Sequence, residues 1–102
     1  MAESVKEFFD GLESRVDPSR TAGMTNSYFF DIDGAGQWLV DVDDGKVKVT
    51  EGGESADTTL TISEDDFMQI VRGELNPTTA YMTGKLKVKG DMGAAMKLQK
   101  LF

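Results

Sequence analysis

The sequence predicts an α+β domain in which helices cover the apolar face of a five-stranded, mainly antiparallel sheet. Two periodicities and one helix-start signal predict it. Apolar residues recur every three to four positions in three segments and alternate with polar residues in five others, and Asn76 with Pro77 marks the start of a fourth helix. The resulting order is helix, four strands, two helices, strand and helix, with the charged sheet face toward water. At 102 residues the chain is expected to form a single domain, residues 1–102.

The first helix begins at a capping box, because Ser4 and Glu7 are spaced to satisfy free backbone N–H groups of the first turn. Its apolar side chains share one helical face: Val5, Phe8, Phe9, Leu12 and Val16. Residues 17–23 contain a proline and a glycine without apolar periodicity, so we expect them to form a connector.

The next three strands are predicted to form an antiparallel meander. Alternation places Tyr28, Phe30 and Ile32 on one face, and the pattern continues over residues 38–42 and 47–49. The segments between these strands contain Asp and Gly, which tolerate the positive φ that tight reversals require.

Helices dominate the second half of the chain. After a fourth strand over residues 58–62, Ser63 caps a helix whose first turn is acidic, which complements the positive end of the helix. Asn76 and Pro77 then start a short helix, since proline suits the first helical position. Three lysines alternate with two apolar residues in a fifth strand over residues 85–89. Asp91 caps the last helix, whose apolar residues are Met92, Ala95, Met96, Leu98 and Phe102.

Composition excludes several classes of function. The chain has no cysteine and no histidine, which removes disulfides, thiolate chemistry and the usual general base near neutrality. The net charge of -7 disfavours nucleic acid as a partner. We expect no metal or cofactor. The amino terminus lacks a secretory signal, and the expected compartment is the cytoplasm.

The charge is unevenly distributed along the chain. Residues 84–102 hold five lysines against Asp91, a net charge of +4, which leaves -11 for residues 1–83. This basic segment is either a set of solvated lysines or a surface for transient contact with anionic lipid heads.

The acidic residues of the strands do not predict a metal or catalytic site. In a calcium loop starting at Asp41, the glycine required at the sixth position is replaced by Lys46. Asp31 and Asp41 alternate toward water, so neither is expected to be a buried catalytic acid. Lys46 and Lys48 are expected to be cross-strand partners of the carboxylates on the strands and turns.

Four methionines in the later helical regions are either core residues or the flexible lining of a ligand space. They are Met68, Met82, Met92 and Met96. The aromatic residues Tyr28, Trp38 and Tyr81 are interpreted first as core, each needing a partner for its polar tip.

Six segments resemble the sterol carrier protein type 2 family, and the resemblance is strongest in the carboxy-terminal half. The segments are Gly36–Val42, Asp57–Phe67, Gly73–Pro77, Ala80–Thr83, Gly84–Met92 and Met96–Gln99. The resemblance implies a five-stranded sheet with a lipid-binding tunnel between the sheet and its helices.

The resemblance also implies a noncatalytic carrier of sterols, fatty acids, fatty acyl-CoA or phospholipids. Gln99 matches a position of the family's last helix and would donate a hydrogen bond to a ligand oxygen. The predicted ligand contacts are Phe30, Ile32, Trp38, Val40, Phe67, Ile70, Val71, Tyr81, Met82, Met92, Met96 and Gln99. The peroxisomal address of some family members is not expected, because the sequence ends at Phe102 without a targeting tail.

Two other functions stay open at this point. The first is a regulatory or assembly module whose apolar groove binds a partner protein, including a separately encoded enzyme. The second is a small enzyme that acts through a buried carboxylate. This function is disfavoured because the chain has no histidine and its strand carboxylates are predicted to face water.

Overall fold

The computed structural model describes residues 4–16, 18–53 and 56–97. Its elements are α1 (Val5–Arg15), α2 (Pro18–Thr21), β1 (Thr25–Asp33), β2 (Gly36–Asp43), β3 (Lys46–Glu51), β4 (Thr58–Ser63), α3 (Glu64–Val71), α4 (Pro77–Met82), β5 (Leu86–Gly90) and α5 (Met92–Met96). The predicted order of helices and strands is confirmed, with α2 as an addition. Leu98 and Phe102, which were predicted to lie in the last helix, fall outside the described residues.

Side-chain caps start the longer helices where the sequence predicted them. The hydroxyl of Ser4 accepts a hydrogen bond from the Glu7 N–H, and that of Ser63 accepts one from Asp66, both at 3.2 Å. Asn76 and Asp91 do the same for α4 and α5. These oxygens satisfy backbone donors that a first helical turn otherwise leaves free.

The connector after α1 corrects one expectation, because it contains the single-turn helix α2. Pro18 occupies the first helical position, where its fixed φ favours a helix start. Four residues are too few to show an apolar period, which is why the sequence pattern missed α2. Thr21 at its end is buried and donates a hydrogen bond to the Gly45 carbonyl at 2.9 Å, which anchors the connector on the β2–β3 turn.

The strands form one sheet in the order β3-β2-β1-β4-β5. The predicted antiparallel meander of β1, β2 and β3 is confirmed, and β4 pairs with β5 antiparallel. The central pair, β1 with β4, is parallel, and Tyr28 lies opposite Thr58 in it. Asp41 and Asp43 lie opposite Lys48 and Lys46, the cross-strand neighbours that the alternation predicted.

The outer face of the sheet is less polar than predicted. Phe29 is buried there, although it lies outside the main core cluster. Residues on either side of the β3–β4 connection also pack on that face. Gly53 lies against Leu39, and the Asp57 N–H donates a hydrogen bond to Ser27 Oγ at 2.9 Å.

The main core lies between the inner sheet face and helices α1 and α3. The Phe9 ring of α1 stacks on Trp38 of β2 and on Phe67 of α3, with centroid distances of 4.8 and 5.4 Å. At the far edge of the sheet, a carboxylate oxygen of Glu13 accepts a hydrogen bond from the Val49 N–H at 2.9 Å. Helix α1 therefore fills the space over β2 and also covers the free edge of β3.

Candidate functional site

The structure divides the predicted ligand contacts into two groups. The first group is buried core in which each side chain is at most 6% exposed: Phe30, Ile32, Trp38, Val40, Phe67 and Ile70. Their rings and branched side chains pack on one another and on Phe9, so the space between the sheet and α1 is filled with protein. Val71 is half-buried beside this core.

The second group lies at the other end of the sheet, among α4, β5 and α5. Tyr81 and Met92 border a small cavity there, together with five side chains that were not among the predicted contacts: Pro77, Thr78, Leu86, Val88 and Ala95. Its volume of about 20 Å³ is enough for about one water molecule. Almost all of its wall is hydrocarbon, which makes it a site for an apolar group.

One predicted contact has another position. Met82 is 79% exposed and does not border the cavity. Met96 is the last residue of α5, and Gln99 lies outside the described residues. Two sequence signals could have identified part of the unpredicted cavity wall. Leu86 and Val88 alternate with lysines, and Ala95 follows Met92 by three residues.

A larger groove, open to solvent, lies at the connection between α3 and α4. It has a volume of about 610 Å³ and is bordered by Ile70, Val71, Gly73, Glu74, Leu75, Asn76, Pro77 and Thr79. Pro77 borders both the groove and the small cavity. Pro77, in the first turn of α4, therefore lies between the two spaces.

A buried hydrogen bond ties α5 to the sheet next to the cavity. The Tyr28 side chain is fully buried, and its hydroxyl donates to the Ala94 carbonyl oxygen at 2.6 Å. Burial, together with the nearby charge of Asp91, raises the pKa of Tyr28 to about 12 from its ordinary value of 10.0. The neutral hydroxyl is the form that holds α5 in place.

We expect this tyrosine to make the protein less stable in strong alkali. Because the folded pKa lies above the unfolded one, its contribution is complete below pH 10.0 and is lost as the pH rises through about 12. Urea unfolding at increasing pH measures this loss. Tyr28→Phe should lower the unfolding free energy by about 1 kcal/mol near neutrality and should flatten the alkaline decline. If the unfolding free energy of Tyr28→Phe declines in alkali as steeply as that of the natural sequence, groups other than Tyr28 cause the decline.

The acids considered as catalytic groups do not face the cavity. Asp31 and Asp41 lie on the outer sheet face, and Asp41 is exposed beside Lys48. None of the helices within residues 4–16, 18–53 and 56–97 has the length and hydropathy of a membrane span.

Comparison with known proteins identifies the family. The family model described as the SCP-2 sterol transfer family matches residues 5–102. The chain belongs to this family. The match extends the resemblance seen in the sequence to α1 and the first strands. Membership and the SCP-2 structures support lipid binding and transfer as the function of this domain.

Two curated relatives are longer proteins that contain a matching region. The chain is 38% identical over 101 residues to hydroxysteroid dehydrogenase-like protein 2 of Xenopus tropicalis, covering 95% of this chain and 24% of that protein. It is 46% identical over 65 residues to sterol carrier protein 2 of Homo sapiens, covering 63% of this chain and 12% of that protein. The chain thus spans about a quarter of the length of the first of these relatives.

A solved structure confirms the SCP-2 fold. Palmitated SCP2L2 from Aedes aegypti matches with a TM-score of 0.76 and 28% identity, covering 96% of this chain and 93% of that one. The predicted five-stranded α+β architecture is therefore confirmed for this SCP-2 domain.

Proposed function

We propose that this SCP-2 domain binds one lipid or fatty acyl chain without catalysing a reaction and delivers it to a membrane or an enzyme. Sterols, fatty acids, fatty acyl-CoA and phospholipids are the candidate ligands. The observation that carries the proposal is the hydrocarbon-walled cavity among α4, β5 and α5, whose bordering side chains Tyr81 and Met92 are already 43% and 40% exposed. The SCP2L2 relative with palmitate supports the ligand class.

Ligand entry requires the cavity to expand, because about 20 Å³ does not hold an acyl chain. Its two helical walls are α4 and α5, with six and five residues. Helices this short depend on packing for their stability, so they are the elements of this site best suited to move. We propose that displacement of α4 joins the cavity to the open groove at Pro77 and forms the predicted tunnel.

The driving force is the removal of methylene groups from water. At about 0.8 kcal/mol for each buried methylene, roughly fifteen of them contribute on the order of 12 kcal/mol before ordering and association costs. This leaves enough for micromolar affinity without a polar anchor. We therefore expect broad selectivity among ligands that carry a long apolar chain.

The predicted ligand contacts differ in how well their positions in the structure support them. Tyr81, Met92, Ile70 and Val71 border the cavity or the adjoining groove and are proposed as ligand contacts. The other buried residues of the set contact a ligand only if the aromatic core separates. Met96 and Gln99 remain predictions, as do the cytoplasmic location and the single domain over residues 1–102.

Native mass spectrometry with palmitic acid tests the carrier function, and a variant that fills the cavity tests the site. We expect one palmitate per chain for the natural sequence. Ala95→Trp places a large ring between α4, β5 and α5, and we expect it to reduce the bound fraction at least about tenfold, since several methylenes lose their place.

Ala35→Trp serves as the matched control, because Ala35 is exposed in the turn between β1 and β2. It should bind palmitate as the natural sequence does. If Ala95→Trp retains full binding while the natural sequence also binds, the ligand lies elsewhere. If the natural sequence stays empty, the carrier function itself is wrong.

A second candidate function is a module that serves an enzyme. It is favoured by the match to hydroxysteroid dehydrogenase-like protein 2, in which the matching region is about a quarter of a longer protein. A stable one-to-one complex with a partner enzyme, formed while the cavity stays empty, would support this function over lipid transfer.

A further inference from the structure

The two edges of the sheet differ in how their free backbone groups are satisfied. The strand order leaves β3 at one edge and β5 at the other. At the β3 edge, the Val49 N–H donates to a carboxylate oxygen of Glu13, so α1 covers the middle of that strand. An uncovered edge strand is a template for pairing with another chain, which makes the β5 edge the one to consider.

The register identifies the backbone groups that β5 presents at its free edge. The Asp91 N–H donates to the carbonyl oxygen of Asp57 at 3.4 Å, one position beyond the paired residues of β4 and β5. Hydrogen-bonded and non-bonded pairs alternate along an antiparallel ladder, so the N–H and C=O groups of Lys87 point toward β4. Those of Leu86 and Val88 point away from β4, and no other described residue makes a hydrogen bond to them.

The outer side chains of β5 carry positive charges that have no carboxylate opposite them. Lys87 lies opposite Thr61, and Lys89 lies opposite Thr59. Both lysines are exposed on the outer face of the sheet, away from the helices. The lysines of β3 differ, because they lie opposite aspartates of β2. The edge with free backbone groups is therefore also the edge whose lysines lack a cross-strand acid.

Several acids surround this edge without lying beside its middle lysine. Two lie at the carboxyl end of β5, two lie on β1 beyond β4, and two lie in α3 or the segment after it. In that order they are Asp57 and Asp91, Asp31 and Asp33, and Glu64 and Glu74. A residue opposite Lys87 in an added strand would be closer, with its Cβ about 5 Å away. The charge that such a residue meets is therefore positive.

We propose that the free edge of β5 binds an acidic segment of a partner protein as an added antiparallel strand. Antiparallel pairing is the more stable form for each residue. In it, the residues opposite Leu86 and Val88 exchange hydrogen bonds with them, and their side chains lie on the helical face of the sheet. The alternate side chains lie on the outer face beside Lys87 and Lys89, where carboxylates are favoured.

The two faces of β5 specify the composition of the added strand. Leu86 and Val88 border a cavity with a hydrocarbon wall, so apolar residues suit the positions opposite them. The segment recognised is one in which acidic residues alternate with apolar ones. A second copy of β5 does not fit, because pairing centred on Val88 would place Lys87 opposite Lys89. This interaction goes beyond lipid carriage and does not depend on it.

Fluorescence anisotropy with short labelled peptides tests the interaction. The probe is a peptide in which glutamate alternates with valine, and the charge control has lysine in place of glutamate. We expect the acidic probe to bind at least about tenfold more tightly than the control. Binding should also slow deuterium exchange at the Leu86 and Val88 amides. Binding that leaves both amides unprotected would overturn strand addition.

Methylation of the peptide backbone separates strand addition from charge attraction. The valine amides of the bound probe donate to β5, so N-methyl groups on them should weaken binding at least about thirtyfold. The glutamate amides point away from β5, and N-methyl groups there should change the affinity less than about threefold. Equal effects of the two modifications would overturn the proposed pairing.

Matched lysine variants test the position of the site. Lys87→Gln/Lys89→Gln should bind the acidic probe about tenfold more weakly, since each lost cross-strand charge pair contributes about threefold. Lys46→Gln/Lys48→Gln makes the same charge change at the other edge of the sheet and should weaken binding less than about twofold. Equal losses would show a response to net charge alone and would overturn the site. A natural sequence that binds no acidic probe would also overturn it, because the β5 lysines would then only keep other strands away.

Discussion

Replacing Phe9 with alanine is expected to lower the free energy of unfolding by about 3 to 5 kcal/mol. The ring is 1% exposed, stacks on Trp38 and Phe67, and meets the edge of Phe30. These partners belong to β2, α3 and β1, so the vacated space would lie where three elements meet. Such a space collapses poorly, and the lost contacts are not recovered.

Urea unfolding followed by Trp38 fluorescence measures this loss, and Phe9→Leu is the matched control. Leucine keeps most of the apolar volume and should cost less than about 1.5 kcal/mol. A Phe9→Ala variant no less stable than Phe9→Leu would show that the ring stack does not organise the core. It would also reopen the space between α1 and the sheet as a ligand site.

Replacing Gly90 with alanine should destabilise the protein by about 3 to 5 kcal/mol, because two effects act together. Gly90 has φ +115°, a conformation that side chains disfavour. A Cβ at this position would lie 2.3 Å from the Asp57 carbonyl oxygen and 3.2 Å from Thr58 Cα. Both contacts are with backbone, so β5 has to move away from β4 to relieve them.

Gly84→Ala separates the two effects. Gly84 has φ +80°, but a Cβ there would have no neighbour within 4 Å. This variant should therefore cost only the conformational penalty, about 1 to 2 kcal/mol. Chemical unfolding of both variants measures the difference. If both variants lose the same free energy of unfolding, Gly90 does not lie as close to the Asp57 carbonyl as the structure shows.

The order of elements was predictable because their signals are local. The caps at Ser4, Ser63, Asn76 and Asp91 each precede a helix in the structure. Period-two alternation located all five strands, and short turns between β1, β2 and β3 permit only antiparallel neighbours. The parallel pairing of β1 with β4 was not predictable in this way, since no local turn specifies it.

The candidate site was harder to predict than the fold. Alternation correctly placed Trp38 and Phe30 on the inner sheet face, but it does not show whether a ligand or another side chain fills the space they face. Phe9 fills it in this structure. Helix α4 has only six residues, too few for a period to establish its orientation. Met82 was therefore assigned to the cavity, although it faces solvent.

The parallel pair at the centre of the sheet divides the domain into two sequence-contiguous halves. Residues before Gly52 form α1, α2 and the meander, and residues after Asp57 form β4, β5 and the remaining helices. The strand pairing that joins the halves, with Tyr28 opposite Thr58, closes a loop much longer than any hairpin in the sheet. Closing that loop costs chain entropy before the contact returns any stability. We therefore expect formation of the β1–β4 seam to limit the rate of folding, and we expect its amides to be among the slowest to exchange with solvent deuterium.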